Sequence, residues 1–355
     1  MRNRFGSAAA IALMTTAGAV LLSACGPENG DSGSTAAPSA PVTAAPGGGS
    51  HSGSPAPGGK EPGGKEPGGK ESGGKEVNGT SAANHLTIST GTRTVAMNGT
   101  TVDFGTVVRD LAWSPDGKKA VFVDGDGNLL TAAPDGSGRA TLAKAPSGET
   151  WSHPTWQHAD KGPSGGAVPD ETDRYNNIVF TSNKGGVLRL EKVPAKGGAV
   201  EELAPHNSEA GDAAGAPQPP QTGNTWANAG GQRADIAYAN TPSGEVYIYD
   251  DYIRPATRDI GKGSQPALSP DGGNIVFVRS VNGHDHLFTR STEHDRTTEK
   301  DLTPSATTDY TEPAWSPDGR TVAARTPDGI STVPADGSAA PVQVSTVKGL
   351  PVYRP

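Results

Sequence analysis

Leu111-Ala112-Trp113-Ser114-Pro115-Asp116-Gly117 is the phrase that decides the fold. It returns as Pro266-Ala267-Leu268-Ser269-Pro270-Asp271-Gly272 and as Pro313-Ala314-Trp315-Ser316-Pro317-Asp318-Gly319. Each copy precedes an apolar run: Lys119-Ala120-Val121-Phe122-Val123, Asn274-Ile275-Val276-Phe277-Val278 and Thr321-Val322-Ala323-Ala324. Ser, Pro, Asp and Gly in that order suit the four positions of a type I turn. Pro presets φ, Asp bonds nearby backbone, and Gly takes the left-handed position. Such a turn followed by a left-handed Gly builds a bulged hairpin. The phrase therefore reads as strand, tight turn, strand.

Working outward, more copies emerge in weaker form. His153-Pro154-Thr155-Trp156 replaces the first half of the phrase, and an insertion running through Tyr175 replaces its turn. A third repeat shows in Thr225-Trp226, Ile236-Ala237-Tyr238 and Glu245-Val246-Tyr247-Ile248-Tyr249. Trp113 to Trp156 is 43 residues, Trp226 to Leu268 is 42 and Leu268 to Trp315 is 47. A period in the forties with four short strands per unit predicts the blades of a β-propeller. The 70 residues from Trp156 to Trp226 include two inserted loops. Leu350-Pro351-Val352-Tyr353-Arg354-Pro355 overlays Glu312 to Pro317 as a first strand with no followers. The alternating stretches at 85–104, with Asn98-Gly99 as a hairpin turn, lack a first strand. The two ends are expected to combine into a sixth blade, which removes free sheet edges.

The segments before the repeats differ in kind. Arg2 and Arg4 precede the apolar stretch Ala8 to Leu22, as in an export signal. Leu22-Ser23-Ala24-Cys25 resembles the lipobox of bacterial lipoproteins, which implies lipid on Cys25, the single Cys of the chain. Two or more acyl chains suffice for stable anchoring. Residues 26–81 are Gly-, Pro-, Ser- and Ala-rich and carry a repeating Gly-Gly-Lys-Glu-Pro unit from Gly58 to Glu76. Such a segment cannot offset its ordering entropy and reads as a disordered linker, with a span of about 40 Å. The expected organisation is 1–25 signal peptide, 26–81 linker and 82–355 propeller.

The repeats resemble those of TolB and, more distantly, the propellers of prolyl oligopeptidases and dipeptidyl peptidases. The residues that carry the resemblance are the three Ser-Pro-Asp-Gly phrases with their following strands. It implies an all-β, six-bladed propeller. TolB carries a separate α/β domain where this chain has the lipobox and linker, so the Tol–Pal role is not carried over. The Ala-, Gly-, Pro- and Thr-rich composition resembles that of lipoproteins from high-GC Gram-positive bacteria.

Composition narrows function by exclusion. The formal net charge is -8 and no basic cluster stands in the repeats, which argues against a nucleic-acid partner. One Cys excludes a disulfide framework and a Cys-based zinc site. No hydrolase domain accompanies the repeats, and Gly30-Asp31-Ser32-Gly33, which looks like a protease nucleophile motif, lies in the linker. Asp124-Gly125-Asp126-Gly127-Asn128 resembles the start of a calcium loop but departs from it at Leu129 and Asp135, and serves as a hairpin turn without metal. His284-Asp285-His286, with His294 nearby, could gather a metal or be a solvated hairpin loop.

The best binding candidate is a ring. Aligning the repeats puts Asp110, His153, Gly223, Gln265, Glu312 and Leu350 where each first strand enters the channel. Asp110, His153, Gln265 and Glu312 are the polar, convergent members, as small-ligand sites require. Trp151, His153 and Tyr310 would enrich that channel mouth, whereas Trp113, Trp156, Trp226 and Trp315 are assigned to the core. The sequence thus predicts a non-enzymatic monomer, lipid-anchored at the outer face of the membrane, with no cofactor and no metal. Its expected partner is an envelope or secreted protein. The alternatives are a solute- or glycan-binding lipoprotein and a propeller-type lyase or lactonase.

Overall fold

The computed structural model describes residues 78–159, 175–209, 214–231, 233–251, 254–293 and 297–355. Cys25, the signal and nearly all of the linker lie outside them, as does His294. The described chain opens with β1 (Leu86–Ser89), β2 (Thr94–Met97) and β3 (Thr100–Asp103). Blade 1 follows as β4 (Arg109–Trp113), β5 (Ala120–Val123), β6 (Leu129–Ala132) and β7 (Ala140–Ala143). Blade 2 is β8 (Glu149–Gln157), β9 (Asn177–Lys184), β10 (Val187–Pro194) and β11 (Glu201–Glu202). Blade 3 is β12 (Asn224–Gly230), β13 (Asp235–Asn240), β14 (Glu245–Asp250) and β15 (Ala256–Lys262). Blade 4 is β16 (Ser264–Leu268), β17 (Asn274–Val281), β18 (His284–Ser291) and β19 (Lys300–Asp301). Blade 5 is β20 (Thr311–Trp315), β21 (Thr321–Thr326), β22 (Gly329–Pro334) and β23 (Val342–Ser345). The last strand, β24 (Leu350–Tyr353), joins β1, β2 and β3 as the innermost strand of blade 6.

The ring closes as the two chain ends predicted. β24 pairs antiparallel with β1, Leu86 opposite Tyr353 and Ser89 opposite Leu350. It also touches β20 on one side and β4 on the other. The core is six apolar layers, each between neighbouring blades. This explains the apolar runs. Ala120-Val121-Phe122-Val123 is buried at every position because both faces of β5 meet another blade. Trp113 and Trp315 are core residues, and each indole reaches the blade before its own. Trp113 Nε1 donates to Thr87 Oγ1 at 3.0 Å, and Trp315 Nε1 donates to the Ala267 carbonyl at 2.9 Å.

The Ser-Pro-Asp-Gly turns share one bonding pattern. Gly117, Gly272 and Gly319 have φ of 64°, 73° and 69°. In the first turn the Gly117 N–H donates to the Ser114 carbonyl at 2.8 Å. Ser114 Oγ donates to Asp116 Oδ1 at 2.7 Å and accepts the Lys119 N–H at 2.9 Å. Ser269 with Asp271, and Ser316 with Asp318, repeat this. The Ser114 hydroxyl, then the Lys118 amide, pull the Asp116 carboxyl down to about 2. Serine is therefore not merely a tolerated turn residue; it ties the aspartate to the next strand.

The two motifs that suggested metals have ordinary structural roles. Asp124 Oδ1 accepts the N–H groups of Asp126 at 2.9 Å and Asn128 at 2.8 Å, folding the turn between β5 and β6. His284-Asp285-His286 is not a solvated loop but the start of β18, with the turn displaced to Asn282-Gly283. His286 is buried with Nδ1 2.9 Å from Asp301, and His284 Nδ1 is 3.3 Å from Asp309.

Candidate functional site

The innermost strands β4, β8, β12, β16 and β20 share an irregularity that builds the site. Each skips register against its neighbour: between Arg109 and Ala112, Ser152 and Thr155, Thr225 and Asn228, Ser264 and Ala267, and Thr311 and Ala314. The first residue inside each bulge is left-handed. Asp110, His153, Trp226, Gln265 and Glu312 have φ of 52°, 52°, 57°, 49° and 51°. None is Gly, so each costs about 1 kcal/mol of backbone energy. Bulges of this kind re-aim a side chain.

These five residues, with Leu350 of blade 6, line a cavity of about 480 Å³ along the propeller axis. The six stretches lining it are in phase. The positions five residues further on, Pro115, His158, Gly231, Pro270, Pro317 and Pro355, line its other end. The cavity therefore runs from the bulge ring to the Ser-Pro-Asp-Gly side of the propeller.

Asp110, His153, Gln265 and Glu312 are thus brought together as their alignment predicted, but four other assignments need correction. Gly223 precedes β12 and is outside the ring; Trp226 holds that place instead of a core position. Trp151 is buried between blades 1 and 2, with Nε1 bonded to Glu149 at 2.7 Å, and does not line the cavity. Tyr310 packs on the apolar layer between blades 4 and 5. The misplacement of Trp226 has a physical cause. Blade 3 carries Ala229-Gly230-Gly231 where blade 5 has Trp315-Ser316-Pro317. A Cβ on Gly230 would lie 2.6 Å from Leu268 Cβ, so blade 4 leaves no room for a larger residue. Matching Trp226 to Trp315 slides the repeat by three positions. The available sequence signal was the small triplet itself, which a Trp-centred alignment overlooks.

The ring residues divide into two kinds. Asp110 and Gln265 tie blades together: Asp110 Oδ2 accepts the His153 N–H at 3.1 Å and Gln265 Oε1 accepts the Glu312 N–H at 2.6 Å. They satisfy amides that the bulge turns out of the ladder. His153 and Trp226 instead line the cavity with their rings in tilted contact, 3.8 Å between centroids and 48° between planes. His153 Nδ1 is shielded from solvent and has no hydrogen-bond partner. Burial lowers the His153 pKa below its usual 6.5, against the opposing pull of Asp110 and Glu312. The imidazole is therefore neutral at pH 7. Glu312 pairs with Arg325 at 3.0 Å. Among the described residues Asp110 and Glu312 are the carboxylates lining the cavity, and no Lys or Arg lines it. Among the same residues no group of three His, Cys, Asp or Glu could hold a metal ion.

The architecture matches TolB-type propellers. TolB from Acinetobacter baumannii superposes with a TM-score of 0.51 at 17% identity, over 76% of this chain and 66% of that one. The chain thus spans just under two thirds of that protein's length. A putative TolB from Agrobacterium tumefaciens gives 0.47 at 16% identity, covering 73% of this chain and 87% of that one. An oligogalacturonate lyase in complex with manganese gives 0.43 at 12% identity, covering 71% and 70%. No family model matches the chain, and no curated protein sequence matches it. The likeness establishes a six-bladed, TolB-like propeller fold.

Proposed function

We propose that the chain is a binding module which takes a small ligand in its propeller channel and performs no bond-making step. The Trp226–His153 ring pair carries this reading. The two rings line one cavity with Asp110, Gln265 and Glu312. An apolar surface with a few convergent polar groups is how small-molecule sites are built. Docking of an envelope protein finds less support. Among the described residues the exposed large hydrophobics are Val187 and Val342, on blades 2 and 5, which make no contiguous patch. A thermal-shift screen of small polar metabolites on wild type and Trp226→Ala tests the reading. A compound that raises Tm in the wild type alone is the expected result. A screen in which no compound separates the two proteins overturns it.

The resemblance of Leu22-Ser23-Ala24-Cys25 to a lipobox supports a module outside the cytoplasm on a lipid tether at Cys25. Cys25→Ser is expected to move the chain from the membrane fraction to the soluble one. Retention in the membrane fraction refutes the anchor.

A further inference from the structure

We infer that the channel site selects a small organic ammonium ion, held between the Trp226 ring face and the Asp110 carboxylate. This rests on the channel reading above and adds the charge of the ligand. The charges around the cavity do not balance. Among the described residues its walls carry two carboxylates and no Lys or Arg. Glu312 has a counter-ion in Arg325, whereas Asp110 holds a neutral backbone amide, the His153 N–H. His153 does not supply the missing charge, because burial holds its imidazole neutral at pH 7.

Trp226 supplies the second half of the site. An indole face attracts a cation through its quadrupole, more strongly where water is excluded. Trp113 and Trp315 bury the ring and bond the indole N–H to a neighbouring blade. Trp226, which lines the same channel, is half-buried and held in a left-handed backbone in the bulge ring. An indole paired with an uncompensated carboxylate in a cavity of about 480 Å³ suits a cation of several heavy atoms rather than a metal ion. A neutral sugar would stack on the same ring but leave the Asp110 charge without a counter-charge.

Choline and 3,3-dimethylbutan-1-ol have nearly the same shape, and only choline is charged. Isothermal titration of the full chain with both is the test. Choline is expected to bind at least about tenfold more tightly than the alcohol. Asp110→Asn keeps an acceptor for the His153 N–H and removes the charge. It is expected to weaken choline about tenfold while Tm stays unchanged, and Trp226→Ala to weaken it by a similar factor. Equal binding of choline and the alcohol overturns the inference, as does full affinity in Asp110→Asn. If choline fails but a neutral compound binds and is lost in Trp226→Ala, the charge assignment falls and the channel reading stands. If nothing binds in the channel, both fall.

Discussion

Deletion of Leu350–Pro355 is expected to unfold the propeller as a whole rather than trim one blade. β24 is the innermost strand of blade 6, and its whole length pairs with β1. The contacts beyond the ladder are equally specific. The Arg354 N–H donates to the His85 carbonyl at 2.9 Å, and the His85 ring meets the Arg354 carbonyl at 3.0 Å. The Arg354 guanidinium then crosses to blade 1, donating to the Gly117 carbonyl at 2.7 Å and lying 5.4 Å from the Trp113 ring centre. Removing the strand breaks these bonds, worth about 1 kcal/mol each. It also exposes the fully buried edge of β1 and opens the ring between β20 and β4. The combined loss is on the order of 5 kcal/mol or more, comparable with the whole stability of a typical domain. A fall in Tm of more than about 10 °C, or loss of a single cooperative transition, should follow in thermal denaturation. A truncated chain that melts cooperatively within about 2 °C of the full one would show that blade 6 does not hold the ring shut.

The second large effect separates two tryptophans that look alike in the sequence. Trp315→Ala is expected to cost about 3–5 kcal/mol, because it empties a buried site between blades 4 and 5. It also leaves the Ala267 carbonyl without its indole donor. Trp226→Ala should cost about 1 kcal/mol, the value of the ring contact with His153, since Trp226 is only half-buried and stands outside the apolar layers. Trp226→Gly should be more stable than Trp226→Ala by about 1 kcal/mol, because Gly accepts the left-handed backbone. Urea unfolding of the three variants measures the order. Equal losses in Trp315→Ala and Trp226→Ala would return Trp226 to the core and undo the register of blade 3.

The closure and the turns were legible because they depend on local chemistry. Ser-Pro-Asp-Gly carries its own geometry, and three copies set the period. The unpaired first strand at 350–355 and the unpaired trio at 85–104 predicted each other. The ring of Asp110, His153, Gln265 and Glu312 was legible for the same reason, since each stands at a fixed distance before a recognisable strand end. The other misreadings share a cause. A loop at His284-Asp285-His286 is expected because polar residues look solvated, yet aspartates at 301 and 309, elsewhere on the chain, pair with the two histidines. Trp151 and Tyr310 resemble channel residues because burial against a neighbouring blade leaves no mark on the local pattern.

The sequence by itself determined the all-β class, the six blades, the turn chemistry and the way the ends meet, all set by short-range backbone preferences repeated at one period. Only the tertiary structure decided which tryptophan stands in the bulge ring. That choice follows from a bulge whose register depends on the partner strand, while the contact between Gly230 and Leu268, two residues of different blades, keeps the chain beyond it small. Such contacts lie outside the reach of a repeat alignment. They turn a ring of polar residues into a site with an aromatic face.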